Sequence, residues 1–101
     1  MSISGVMNTA LSGMLAQTTR VSVAASNVAN SSTPGYARLT AGLYTTGSGG
    51  VQAAVSPASA DADPVADMTD LVEAEQSYKA NAVVFETGAD LWDVLMSIKR
   101  D

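Results

Sequence analysis

Apolar positions recur at steps of three and four over two long stretches of this chain and at steps of two over two short ones. In the first long stretch Ile3, Met7, Ala10, Met14, Gln17, Val21, Ala24 and Val28 alternate steps of four and three, with Gln17 the one polar member. That is the period of a helix seam packing against another helix. Leu11, Leu15 and Ala25 widen the stripe, enough to serve more than one neighbour. Ser2 or Ser4 supplies an N-cap, and at ~1.5 Å per residue the helix is roughly 40 Å long. Gly5 and Gly13 each weaken it by about 1 kcal/mol relative to Ala, or let another helix come close. The stop is abrupt. Asn30, Ser31, Ser32 and Thr33 offer side chains that compete for backbone hydrogen bonds, and Pro34 disfavours helix at Thr33. Pro34 and Gly35 suit the two central positions of a type II turn.

Beyond the turn the period changes. Leu39, Ala41 and Leu43 alternate with Arg38, Thr40 and Gly42. After Gly47-Ser48-Gly49-Gly50, Val51, Ala53 and Val55 alternate again. Two short strands about a Gly-rich turn read as a β-hairpin, and a lone hairpin needs support from a neighbour. Residues 57–63 read as a linker, and Asp63-Pro64 as a helix start, with Asp at the N-cap and Pro in the first turn. Leu71, Tyr78, Phe85 and Trp92 then recur every seven residues, while Val84, Leu91, Leu95 and Ile98 make a second stripe. Early Asp63, Asp67, Asp70 and Glu73 and late Lys99 and Arg100 complement the dipole of this helix. The pattern predicts a mainly α protein: a long antiparallel, coiled-coil-like hairpin of N- and C-terminal helices with a short β-hairpin insert. It forms a single domain over 1–101. The first helix covers 3–31; turn, hairpin and linker cover 32–63; the second helix covers 64–100.

Composition narrows the chemistry. Met7, Met14, Val21 and Val28, with Leu71, Tyr78, Phe85 and Trp92, are expected to hold the two helices together. Leu11, Leu15, Val84, Leu91 and Leu95 are expected to bind other subunits. The chain has neither His nor Cys, so the commonest general base and the thiol nucleophile are both missing. Its serines make no Gly-x-Ser-x-Gly elbow. A net charge of -5 with scattered basic residues argues against a nucleic-acid surface or an anionic membrane surface. The acidic residues between 61 and 75 lack the spacing of a calcium loop, so neither a metal nor a cofactor is expected. Gly47-Ser48-Gly49-Gly50 is not followed by the Lys-Ser/Thr of a phosphate loop. No run reaches the ~20 apolar residues needed to span a bilayer, and residues 1–15 carry no secretory signal. A thin hairpin without a pocket points to assembly rather than catalysis, and the expectation is that the chain is not an enzyme.

At Asn27-Val-Ala-Asn30-Ser-Ser-Thr33-Pro34-Gly35-Tyr36 the sequence resembles the N-terminal signature of the bacterial flagellar axial proteins, which build the rod, hook and hook-associated structures. Upstream, Ala10-Leu11-Ser12-Gly13-Met14, Gln17 and Arg20 are similar to that family's first helix. Asp67-Met68, Leu71 to Glu75, Ser77 to Asn81 and Ile98-Lys99-Arg100 are similar to the C-terminal helix of rod proteins. The resemblance implies a structural subunit whose terminal helices pair and pack side by side in a hollow torque-transmitting filament. It implies export through the flagellar type III apparatus without a cleaved signal. It also implies partnership with itself and other axial proteins, and a place in the basal body rod that spans the periplasm. The short middle segment fits a proximal-rod type. The alternative from another class is a soluble helical adaptor or chaperone-like module that binds one partner helix.

Overall fold

The computed structural model describes residues 2–58 and 61–99, and the chain forms four elements. They are helix α1 (Ile3–Ala29), strands β1 (Leu39–Thr45) and β2 (Val51–Pro57), and helix α2 (Pro64–Lys99). The molecule is mainly α, with the two long helices packed against each other and a two-stranded antiparallel hairpin between them in sequence. It measures 66 × 25 × 14 Å, so its thinnest dimension is close to one helix diameter. Of the two basic residues that the sequence places at the end of the second helix, the side chain of Lys99 and the whole of Arg100 lie outside the described residues.

Local signals account for where the elements start and stop. The Ser2 hydroxyl accepts a hydrogen bond from the Gly5 N–H at 3.0 Å and caps α1. The Asp63 carboxylate does the same for Ala66 at 3.1 Å at the head of α2. Each satisfies an amide that has no partner inside its helix. Asn30 closes α1: its backbone N–H and side-chain amide both donate to the Ser26 carbonyl, at 3.0 and 2.9 Å. The Thr33 N–H then donates to the Asn30 carbonyl, and the Tyr36 N–H to the Thr33 carbonyl at 3.3 Å. This last bond spans Pro34 and Gly35, and Gly35 has φ +78°, the positive value a type II turn demands at that position.

The helices run antiparallel. Asn27 meets Asp67 near one end, Gly13 lies beneath Asn81 in the middle, and Met7 lies over Gly88 near the other end. The contact is built from small and polar residues. Ala10, Gly13, Gln17, Ala24 and Asn27 are buried on α1, and Asp67, Ala74 and Gly88 on α2. Asn81 sits over Gly13 so closely that a Cβ added there would lie 2.6 Å from its Nδ2 and 2.9 Å from its Cγ. Met7 fills the space over Gly88 in the same manner. Two glycines on opposite helices thus act as holes for two side chains, a knobs-into-holes arrangement.

The hairpin covers a different side of α1. Both strands rest on α1 and, among the described residues, neither rests on α2. The register pairs Leu39 with Pro57, Ala41 with Val55, Leu43 with Ala53 and Thr45 with Val51. Leu39, Ala41, Val51 and Ala53 are the positions turned toward α1. At the hairpin tip the Val51 N–H donates to the Ser12 hydroxyl at 3.1 Å. Ala16, buried between helix and hairpin, lets the strands lie close.

Replacing Gly13 by Ala is expected to lower the thermal midpoint although Ala is the better helix former, because the whole Asn81 amide has to move. Asn81→Ala in the same chain should relieve that loss, and a double-mutant cycle by thermal denaturation measures the coupling. Gly35→Ala meets no neighbouring atom and is expected to cost about 1–2 kcal/mol through its positive φ alone, read from denaturant unfolding.

Candidate assembly surface

The rotation of the two helices about their axes decides which side chains face a partner. The residues turned toward α2 are 10, 13, 17, 20, 24 and 27, a line of alternating threes and fours. It shares Ala10, Gln17 and Ala24 with the stripe visible in the sequence. Its other members are Gly13, Arg20 and Asn27, whereas the sequence pattern pairs those three with Met14, Val21 and Val28. On α2 the innermost line is Asp67, Ala74, Asn81 and Gly88, each four residues before Leu71, Tyr78, Phe85 and Trp92. Met7 packs within the contact, over Gly88, and Met14, Val21, Leu71 and Phe85 are half-buried. Val28, Tyr78 and Trp92 are exposed.

This rotation leaves much apolar surface uncovered. Val21, Leu71 and Tyr78, with Thr18, Glu75 and Lys79, line an open groove of about 590 Å³ along one flank. Leu11 and Leu15 are exposed on the outer side of α1, Leu15 to 62%. Leu91 and Leu95 are exposed near the end of α2. At the opposite end Pro64, Val65, Met68 and Val72 form a shallow apolar groove on the outer face of α2. No large side chain among the described residues is fully buried. Each such side chain covered by a neighbour contributes about 1.5–3 kcal/mol, so most of the apolar driving force in this molecule lies outside its own fold.

A polar cluster fixes the base of the hairpin. Asn27, on the last turns of α1, is buried, and all of its hydrogen-bonding capacity is used. Its Nδ2 donates to the Leu39 carbonyl at 2.8 Å and toward Asp67 Oδ1 at 3.5 Å. Its Oδ1 accepts from the Leu39 N–H at 2.9 Å and from the Tyr36 hydroxyl at 3.0 Å. The amide therefore pairs with Leu39 as a neighbouring strand would, and the opposite amide orientation would set two donors against each other. The Tyr36 proton is committed to Asn27, so the Ser26 hydroxyl 3.0 Å away donates to the Tyr36 oxygen. Thr33 Oγ1 donates to Asn30 Oδ1 at 3.2 Å, holding the approach to the turn. Pro34 and Gly35 stand exposed at its apex.

Arg38 and Asp67 complete the cluster. Arg38 Nη2 lies 2.7 Å from Asp67 Oδ1, with the carboxylate side chain only 4% exposed and the guanidinium 16%. The bond to Asp67 holds the Arg38 pKa above its ordinary value against the opposing pull of burial. This one ion pair joins the residue before β1 to the first turns of α2, while Asn27 joins both to α1. From the sequence, Arg38 reads as one of several scattered bases and Asp67 as part of a helix-start acidic run. The signal available was their place beside recognisable motif residues, immediately after Tyr36 and at the head of α2. Arg20 makes a looser bridge, its Nη1 donating to Gln17 Oε1 at 3.0 Å and its Nη2 lying 3.7 Å from Glu73 and 3.9 Å from Asp70. Its carboxylate partners are exposed and contribute little. Nothing in either cluster pairs a nucleophile with a base.

Arg38→Met is expected to cost about 3–5 kcal/mol, since it strands a buried carboxylate. Arg38→Met combined with Asp67→Leu should recover much of that. Asn27→Asp places a second carboxylate against Asp67 and removes the donor to Leu39. Amide hydrogen exchange should then accelerate through β1 and β2 more than at the centre of α1.

Residues 7–36, which span most of α1 and the turn with Tyr36, match the flagella basal body rod protein family. The N-terminal 40 residues are 50% identical to the flagellar hook protein FlgE of Brucella suis biovar 1 (strain 1330), a stretch that is 40% of this chain and 10% of that protein. The same identity and coverage hold for the flagellar hook protein FlgE of Brucella abortus biovar 1 (strain 9-941). The flagellar hook protein FlgE of Rhizobium meliloti (strain 1021) is 44% identical over 42 residues, again 10% of its length. The match thus reaches about a tenth of these curated relatives and is confined to the segment that holds Asn27, Asn30, Thr33, Pro34, Gly35 and Tyr36. No helix among the described residues is long and apolar enough to cross a membrane. From Met7 to Tyr36, then, the chain is similar to the flagella basal body rod protein family and to the flagellar hook proteins that share this segment.

Proposed function

We propose that the chain is a structural subunit of the basal body rod, built into a hollow axial filament through its two terminal helices. The observation that carries this reading is the inversion of ordinary packing. Small and polar residues close the helix pair, and large apolar ones stand on its flanks. A monomer that functions alone keeps such surface covered; a filament subunit needs it free. Leu11 and Leu15 on α1 and Val84, Leu91 and Leu95 on α2 are the contacts proposed with neighbouring subunits. Met7 is proposed to hold the helix pair together at Gly88, and Met14, Val21, Val28, Leu71, Tyr78, Phe85 and Trp92 to be covered as subunits pack against the edges of the pair.

The rod station, as distinct from the hook, is supported by economy of sequence: among the described residues a hairpin of two seven-residue strands is the only regular structure between the helices. The likeness of Asp67-Met68, Leu71 to Glu75 and Ser77 to Asn81 to rod-protein C-terminal helices points the same way. Passage through the flagellar export apparatus and residence in the periplasm-spanning rod follow from that station.

Deleting the gene is expected to abolish motility and to leave basal bodies without a completed rod by electron microscopy, and supplying it in trans to restore both. Normal motility and intact rods in the deletion strain would rule out an obligatory rod role. A discrete heterodimer that never polymerises would favour the adaptor reading.

A further inference from the structure

The antiparallel register leaves one end of α2 without a partner among the described residues. Asn27 lies by Asp67, Gly13 by Asn81 and Met7 by Gly88, so Ile3 at the start of α1 comes level with Leu91. Helix α2 runs on to Lys99, about 12 Å further at ~1.5 Å per residue. The heptad line of the seam continues into this overhang from Gly88 to Leu95, with nothing from α1 opposite. Leu91, Trp92, Val94, Leu95, Met96 and Ile98 are all exposed there, Ile98 to 68%.

The other end of α2 carries a matching surface. Val65, Met68 and Val72 are exposed on one face, Val65 to 78%, and form the shallow apolar groove at the head of the helix. They are spaced by three and then four residues. Leu91, Val94 and Ile98 repeat that spacing 26 residues later.

We infer that the α2 overhang of one copy lies parallel against the head of α2 in a second copy, with Leu91, Val94 and Ile98 beside Val65, Met68 and Val72. This inference rests on the axial-subunit reading and specifies one contact within it. Two observations favour a second copy as the occupant: the overhang continues an interface the chain already makes, and the apolar spacings agree. The two surfaces lie at opposite ends of one long helix, so the contact is heterologous. Each copy that uses its overhang still offers its head, and the series does not close on itself. The patch is small beside a standard interface, so the contact is weak alone and gains from lateral packing of the helix flanks.

The chain has no cysteine, which makes cross-linking a clean test. Within one copy Val65 and Leu91 are about 39 Å apart along a single helix, far beyond disulfide reach. The double variant Val65→Cys/Leu91→Cys, oxidised in the concentrated full chain, is expected to give a ladder of dimers, trimers and longer species. Mixing the two single variants should give a crosslinked dimer. Adding Leu95→Asp, beside the contact line, should weaken the ladder while circular dichroism shows the helices intact. A dimer from Leu91→Cys alone, with no ladder from the double variant, would overturn the inference in favour of overhangs pairing with each other. Absence of any ladder, with helicity intact, would also overturn it. If the wild-type gene still restores motility to the deletion strain, that failure leaves the rod reading in place.

Discussion

The structure depends on how closely two helices can approach when the side chains between them are small. Gly13 accepts Asn81, Gly88 accepts Met7, and Ala10, Ala24 and Ala74 fill the remaining line. Buried alanines contribute little hydrophobic free energy, because little apolar area leaves water. The contact gains dispersion from proximity instead. A hairpin closed this way has a defined shape at modest stability, and its larger apolar groups remain free. Shape within the subunit and cohesion between subunits are thus assigned to different residues of the same helices.

Polar groups supply the specificity that an alanine seam lacks. A line of small residues tolerates sliding, but the buried Asn27 amide, saturated by Leu39, Tyr36 and Asp67, admits one register. The Arg38–Asp67 pair adds little net stability, since desolvation of two charges offsets most of their attraction. Its value lies in what misalignment costs: shifting α2 by one turn would leave a carboxylate buried without its cation. Because the cluster binds α1, the turn, β1 and α2 at one point, the hairpin is aimed along α1 and away from the outer faces of α2. Those faces stay open for neighbours.

The elements were legible in the sequence because each rests on local chemistry. Pro34-Gly35 forces a turn whatever surrounds it, Asp63-Pro64 opens a helix, and period-two alternation around Gly47–Gly50 reads as paired strands. The rotation of the helices was not legible in the same way. Periodicity locates a stripe, but when a helix carries adjacent stripes of small and of large residues it does not say which one the partner within the chain takes. Ranking residues by size favours Met14, Val21, Tyr78 and Trp92, whereas the fold uses Gly13, Arg20, Asn81 and Gly88. Asn27 and Asn30 illustrate the same limit. Both look like helix terminators, and Asn30 is one, while the role of Asn27 depends on Leu39, twelve residues on, and on Asp67, forty residues on.

The preference for small residues inside the pair also explains why the large ones are arranged as they are along α2. Where α1 lies alongside, the seam positions are Asp67, Ala74, Asn81 and Gly88, and bulk there would force the helices apart. Past the start of α1 that constraint lapses, and the next seam position is Leu95, flanked by Trp92 and Met96. The change coincides with the end of the intramolecular contact, at the point where the same face of α2 must find its neighbour elsewhere. A helix that served only its own hairpin would have no reason to change character at that level. One that hands its seam from an internal partner to an external one does.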